Sequence, residues 1–197
     1  MDRADLATDR KKGARTGAWI LFEDEAGARL TGAFSCTWAP VGQSPVLHVV
    51  KGRPAKMSMA AVCCYRPGHA PRMLFRTRPG WYRDRALITF VDGVHRALGA
   101  PVILVWDNLA AHRSRWMRAA VRAREWLDVE YLPAYAPELN PVKDVWSHLK
   151  GTGLANLAAL SFAELGEAVR SGLRRLRHRP GLLEGFLAHT GLQLGTE

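Results

Sequence analysis

An α/β fold is what this 197-residue sequence predicts: a mixed five-stranded sheet, three antiparallel strands followed by two parallel ones, with helices on both faces. Three observations predict it. Apolar segments punctuated by turn residues crowd the first half of the chain. The apolar period changes to that of a helix near residue 81. From there short apolar runs alternate with helical patterns, the order expected where helices cover a sheet with parallel strands.

The elements follow in chain order. Residues 1–16 are polar, basic and free of periodicity, so a basic tail or linker remnant is expected there, with one domain over residues 17–197. GAWILFEDEAGARL reads as an apolar strand ending in acids, with Ala26-Gly27 as its turn. ARLTGAFSCTWAP and PAKMSMAAVCCYRPG read as two further strands, completing an antiparallel meander, and the intervening VGQSPVLHVVKGR as a loop holding at most a short strand. In WYRDRALITFVDGVHRALGA, Ala86, Leu87, Phe90, Val91, Val94 and Leu98 fall on one helical stripe that Gly99 ends. PVILVWD is a fully apolar strand of the kind found inside a sheet covered on both faces. SRWMRAAVRAREW is an arginine-studded helix, LDVEYLP a short strand, and Asn140-Pro141 opens the next helix as N-cap and first-turn proline. The final helix is expected from about Ser161 to His178, where Ser161 and Glu164 have capping-box spacing.

Composition narrows the function classes. No window approaches the roughly 18–20 consecutive apolar residues of a membrane span, and MDRADLATDRKKGAR leads into no signal-peptide core, so a cytoplasmic, nucleoid-associated protein without a membrane partner is expected. Cys36, Cys63 and Cys64 lack zinc spacing and read as small core residues of a reducing compartment. The 28 basic against 18 acidic side chains give a formal charge of +10, a field that attracts polyanions and makes nucleic acid the first partner to consider.

Two carboxylates carry candidate chemistry. Asp24 lies between Glu23 and Glu25, and alternation along a strand points it away from both. Asp107 ends the VILVWD strand. If the two strands are neighbours, their carboxylates converge at the sheet edge where ligands of open α/β sheets bind. Hard oxygen ligands held in this way suit magnesium or manganese, and two such ions can drive in-line phosphodiester displacement. The plainer reading of either aspartate alone is a strand-end residue capping a turn.

FEDEAG, PVILVWDNLAAH and LPAYAPELNPVKDVWSHLK resemble the three catalytic blocks of DDE transposases, in the bacterial insertion-sequence branch of the mariner superfamily. The resemblance runs from about Ala18 to the C-terminus and includes TWAPVGQSPVL and RPGLLEGFLAHTGL. It implies a ribonuclease-H-like fold, dependence on two magnesium or manganese ions, and cleavage and joining of DNA at transposon ends. By position Asp24 matches the first catalytic aspartate and Asp107 the second. Asn108 and His112 match the second block's Asp-Asn…His pattern and are expected to orient a metal ligand or a phosphate; for His112 the alternative is a turn cap. The implied partners are DNA, as transposon ends and as target, and a second copy of the chain in a homodimer. Family members carry helix-turn-helix domains ahead of the catalytic one, so a separate DNA-recognition domain is expected from elsewhere.

The third catalytic position departs from the pattern. The 35 residues 108–142 separate Asp107 from Lys143, close to the family's mid-thirties interval, yet Lys143 stands where the family has a carboxylate. An ammonium about 5 Å from a divalent ion, at an effective dielectric near 20, costs roughly 6–7 kcal/mol. Asp144 is the substitute expected as third catalytic residue and metal ligand, although one helical step turns it by about 100°. Two functions follow: an impaired strand-transfer enzyme, or a catalytically silent nucleic-acid-binding or assembly module. Asp144 and His148 have helical metal-ligand spacing, but the plainer reading is a surface pair, and Trp146 reads as a core anchor. Arg113, Arg115, Arg170, Arg174, Arg175 and Arg177 are the candidate DNA contacts; the plainer reading of the last four is a solvated helix end.

Overall fold

The computed structural model describes residues 17–30, 35–48 and 56–192; the basic tail expected at residues 1–16 lies outside them. Five strands, β1 (Trp19–Arg29), β2 (Lys56–Tyr65), β3 (Arg72–Pro79), β4 (Val102–Trp106) and β5 (Leu127–Tyr131), form one sheet in the order β3-β2-β1-β4-β5. β2 pairs antiparallel with β1 and β3, whereas β4 pairs parallel with β1 and β5. The expected mixed sheet is present.

One of the three segments expected to supply its antiparallel half is not the one that does. Residues 35–40 of ARLTGAFSCTWAP carry no strand, nor do residues 41–48 of the following loop. The first strand runs on instead through Ala26–Arg29, paired with Met59–Lys56. Gly27 marks close side-chain approach here rather than a turn: a Cβ on it would lie 2.4 Å from Lys56 Cε. The third antiparallel strand is RMLFRTRP, which the sequence hides because basic residues interrupt its apolar ones. The same exposed Arg72, Arg76 and Arg78 protect an edge strand from pairing with another chain.

Among the described residues five α-helices flank the sheet: α1 (Asp84–Leu98), α2 (Arg115–Arg122), α3 (Pro141–His148), α4 (Phe162–Arg177) and α5 (Pro180–His189). α1 buries Leu87, Phe90, Val91 and Val94, and Gly99 ends it in the left-handed region at φ 64°. Ser161 caps α4 by accepting from the Glu164 backbone N–H, while the Glu164 carboxylate reaches back to Leu160 N–H. α5 was not expected: α4 is not the last helix, because Pro180 at the first helical position opens another that buries Leu183 and Leu187.

Strand alternation sorts the apolar residues into two cores. Ile20, Phe22, Met59 and Cys63 pack with Val142, Val145, Leu165, Val169, Leu183 and Leu187, beneath α3, α4 and α5. Trp19, Leu21, Val62 and Cys64 pack with Leu87, Val91, Val94 and Met117, beneath α1 and α2. Each fully buried Leu or Phe contributes about 1.5–3 kcal/mol, so the paired cores fix both the register of β1 and the face each residue presents. Among the described residues no helix is long and apolar enough to cross a membrane.

Cys36 is exposed, whereas Cys63 and Cys64 are buried, and burial pushes the Cys63 thiol up to about 12. Iodoacetamide on the native protein at mildly alkaline pH is expected to modify Cys36 and spare the adjacent pair, which react only after denaturation. Peptide mass spectrometry checks this, and native-state labelling of Cys63 would contradict the buried strand.

Candidate active site

β1 and β4 run parallel with Phe22 level with Val105. Two residues further on, Asp24 lies midway along β1, at the rim where β4 has ended and Asp107 follows it. Face follows from parity. Phe22 belongs to the core beneath α3, so Asp24 lies on that side. Glu23 and Glu25 point to the other.

The start of α3 is fastened directly to this rim. Asn140 accepts from Val142 N–H at 3.0 Å as N-cap, and its own amide donates to the Glu23 carbonyl at 2.9 Å. The helix therefore begins at a fixed distance from Asp24, with Lys143 facing in. Lys143 Nζ lies 2.7 Å from Asp24 Oδ1, and Trp146 Nε1 donates to Asp24 Oδ2 at 2.8 Å. Trp146 is thus a core residue, as expected, and also a clamp on the first aspartate. Asp24 is 3% exposed, and burial, with the Glu25 charge, raises its pKa against the lowering by Lys143 and Trp146.

Asp144, one helical step on, is not brought to Asp24. Its carboxylate faces α5 and pairs with His189 Nδ1 at 2.8 Å. The physical reason is the fixed helix start: with Asn140 and Pro141 seated, the turn of about 100° per residue cannot be slipped. His148 packs near the Phe186 ring, 6.2 Å between centroids, and forms no pair with Asp144 in this arrangement.

Asp107 is held by donors. Its Oδ1 accepts from Leu109 N–H at 3.0 Å and lies 2.9 Å from His112 Nδ1. The His112 bond lowers the Asp107 pKa, burial opposes it, and the Leu109 N–H and the His112 and Lys143 charges lower it further. His112 is 1% exposed and stacks flat on the Trp106 indole, 4.3 Å between centroids. Burial alone would lower its pKa, but hydrogen bonds to Asp107 and Glu25 and the charges of Glu25 and Glu23 prevail, holding it at about 10. Asn108 donates to the Leu132 carbonyl, and its Oδ1 is buried without a protein partner.

A cavity of about 420 Å³ opens beside these groups, lined by Asp107, Asn108, Leu132, Tyr135, Asn140 and Lys143 among others. Tyr135 stands at its edge, fully exposed, with φ 60°. A non-glycine residue in the left-handed region is a strained, functionally suggestive feature that no sequence pattern announces.

The predicted arginines divide. Arg113 and Arg115 are exposed near the loop that follows Asp107, Arg113 lying over the Tyr131 ring at 4.7 Å. Arg170 and Arg174 both bond Glu167, which offsets part of their charge. Arg175 lines a separate cavity of about 260 Å³ with His148 and Arg179, and Arg177 is exposed. A basic aromatic patch escaped the sequence reading: Arg78, Trp81, Arg83, Arg85 and Trp116 line one cavity of about 600 Å³. Its members come from the end of β3 and the starts of α1 and α2, so only folding collects them.

The residues present do not fit a two-ion magnesium or manganese centre. Both Asp24 oxygens already have donors, one of them an ammonium, and no third carboxylate faces the pair from α3.

The DDE superfamily endonuclease family matches residues 19–165 of the chain. In fold the chain is similar to Mos1 transposase. Against its paired-end complex with the left transposon end the TM-score is 0.60 at 18% identity, covering 98% of this chain and 61% of that one. Against the Mos1 transposase catalytic domain with raltegravir and magnesium the TM-score is 0.53 at 17% identity, covering 96% and 92%. The likeness establishes the ribonuclease-H-like fold. A Sodalis glossinidius (strain morsitans) protein named 8-amino-7-oxononanoate synthase is 28% identical over 120 residues, 57% of this chain and 31% of that protein.

Replacing Asn140 by alanine removes the helix cap and leaves the Glu23 carbonyl without its donor. A loss of about 1–3 kcal/mol is expected in urea unfolding. Asn140→Asp, which keeps the cap but sets a carboxylate oxygen against the buried Glu23 carbonyl, should lose at least as much.

Proposed function

The chain belongs to the DDE superfamily endonuclease family, and from that premise we propose that it is a transposase-type DNA-processing domain silenced by its own Lys143. The observation that carries the reading is the 2.7 Å ion pair between Lys143 Nζ and Asp24 Oδ1. Cleavage and strand transfer at transposon ends need carboxylates that gather divalent cations around a scissile phosphate. Here an ammonium takes the place of the third carboxylate and neutralises the first. What survives is affinity: Lys143 and the arginines around the rim favour the phosphate backbone, and the formal charge of +10 favours long-range attraction to it. Asp24 and Asp107 keep their inherited places, Asn108 and His112 support Asp107, and DNA is the substrate class.

The solved relatives support this reading, because Mos1 transposase has been seen in paired-end complexes, with Mn in one and Mg in another. The chain spans 61% of the Mos1 chain in the first complex named above, so recognition of particular ends and assembly as a homodimer are proposed for a larger machine. The competing reading, an active enzyme using Asp144, requires α3 to turn against both the Asn140 cap and the Asp144–His189 pair.

A nicking assay on supercoiled plasmid with magnesium or manganese separates the two. The unsubstituted protein is expected to be inert, and Lys143→Glu to raise nicking by at least about tenfold, ~1.4 kcal/mol in the barrier. Asp144→Ala should change nothing; cleavage by the unsubstituted protein that Asp144→Ala abolishes would overturn the reading. Duplex DNA binding should weaken steeply as salt rises and not depend on magnesium. Arg113→Ala and Arg115→Ala should each reduce the logarithmic salt slope by about one, measured by fluorescence anisotropy.

A further inference from the structure

Glu23 and Glu25 take no part in the rim chemistry, yet they lie with His112 in a cluster whose ligand-type atoms are all within 4.8 Å of one another. We propose that Glu23, Glu25 and His112 form a cation site, on the opposite face of β1 from Asp24, which takes one zinc-class divalent transition-metal ion. It stands independently of the DNA reading.

Four observations carry it. First, one imidazole nitrogen and two carboxylates are a donor set suited to zinc and its neighbours, and the two carboxylate charges balance a divalent ion. Second, His112 Nε2 and Glu25 Oε1 are 3.4 Å apart. That is long for a charge-assisted hydrogen bond, which runs about 2.7–2.9 Å. It matches the ~3.4 Å between two donors that sit about 2.1 Å from one tetrahedral ion. Third, the outer contacts are those of a metal site. His112 Nδ1 bonds the Asp107 carboxylate at 2.9 Å, which directs Nε2 toward the glutamates, and the Trp106 indole N–H holds Glu23 Oε2. A carboxylate behind a ligating histidine fixes its tautomer and ring orientation.

Fourth, Glu23 is 1% exposed and its Oε1 has no hydrogen-bond partner in the protein. A buried carboxylate oxygen without a partner is costly, and a cation among these three side chains removes the cost. The Glu25 side chain, 19% exposed, leaves a path from solvent. The ion would tie β1 to the loop after β4, and through His112 it would also steady Asp107. His112 is thereby a positioning residue for the rim and a ligand on the far side.

The test is metal binding by the full chain. Zinc should be retained at one equivalent after dialysis against metal-free buffer, and cobalt should bind at the same stoichiometry with visible d–d absorption. His112→Gln and Glu25→Gln should each weaken zinc binding by more than about tenfold. Asp24→Asn, which removes none of the three ligands, should keep one equivalent bound, so failure here and failure of the DNA reading are told apart. Crystals of the unsubstituted protein soaked in zinc should show an anomalous peak between Glu23, Glu25 and His112, a measurement that does not depend on any variant folding. Absence of stoichiometric binding, binding unchanged in His112→Gln, or a peak between Asp24 and Asp107 instead would overturn the proposal.

Discussion

One buried amide determines which side chain of α3 meets the sheet rim. Asn140 accepts from the first turn of its own helix and donates to the carbonyl of Glu23, the residue before Asp24. Its two bonds translate the register of a strand into the rotational phase of a helix. Given that phase, residue 143 faces Asp24 and residue 144 does not. Pro141, with its fixed φ, and Trp146, bonded to Asp24 Oδ2, hold the same geometry from either side. The rim is a rigid frame, and its chemistry depends on the residue placed in it.

The two faces of β1 divide the acidic groups FEDE supplies. On the α3 side Asp24 meets a lysine; on the other Glu23 and Glu25 meet a histidine. Asp107 connects them, because its carboxylate bonds His112 while its pKa also responds to the Lys143 charge. Charge on one face of the strand also reaches the other directly, since Glu25 raises the Asp24 pKa. Arg113 and Arg115 are exposed near the loop after Asp107, and Lys143 lines the 420 Å³ cavity.

Much of this was legible in the sequence, for identifiable reasons. Alternation along Trp19–Glu25 separated Asp24 from its glutamate neighbours, and the apolar run before Asp107 placed a central strand. Asn140-Pro141 gave the helix start, which decided the fate of residues 143 and 144. Legibility failed where pairing partners overrode local signals. Ala26-Gly27 looks like a turn until Lys56–Met59 is known to lie opposite it. RMLFRTRP looks like a solvated segment until it is placed at a sheet edge. The Glu23–Glu25–His112 cluster and the patch around Trp81 and Trp116 join distant segments, and no spacing within one segment announces them.

The Lys143–Asp24 pair also has a consequence for how such a sequence persists. A buried aspartate left without a partner would weaken the fold, but this one keeps two donors and a compensating charge. A lysine at this position is thus compatible with a well-partnered rim, and quality control that culls unstable chains has no purchase on it.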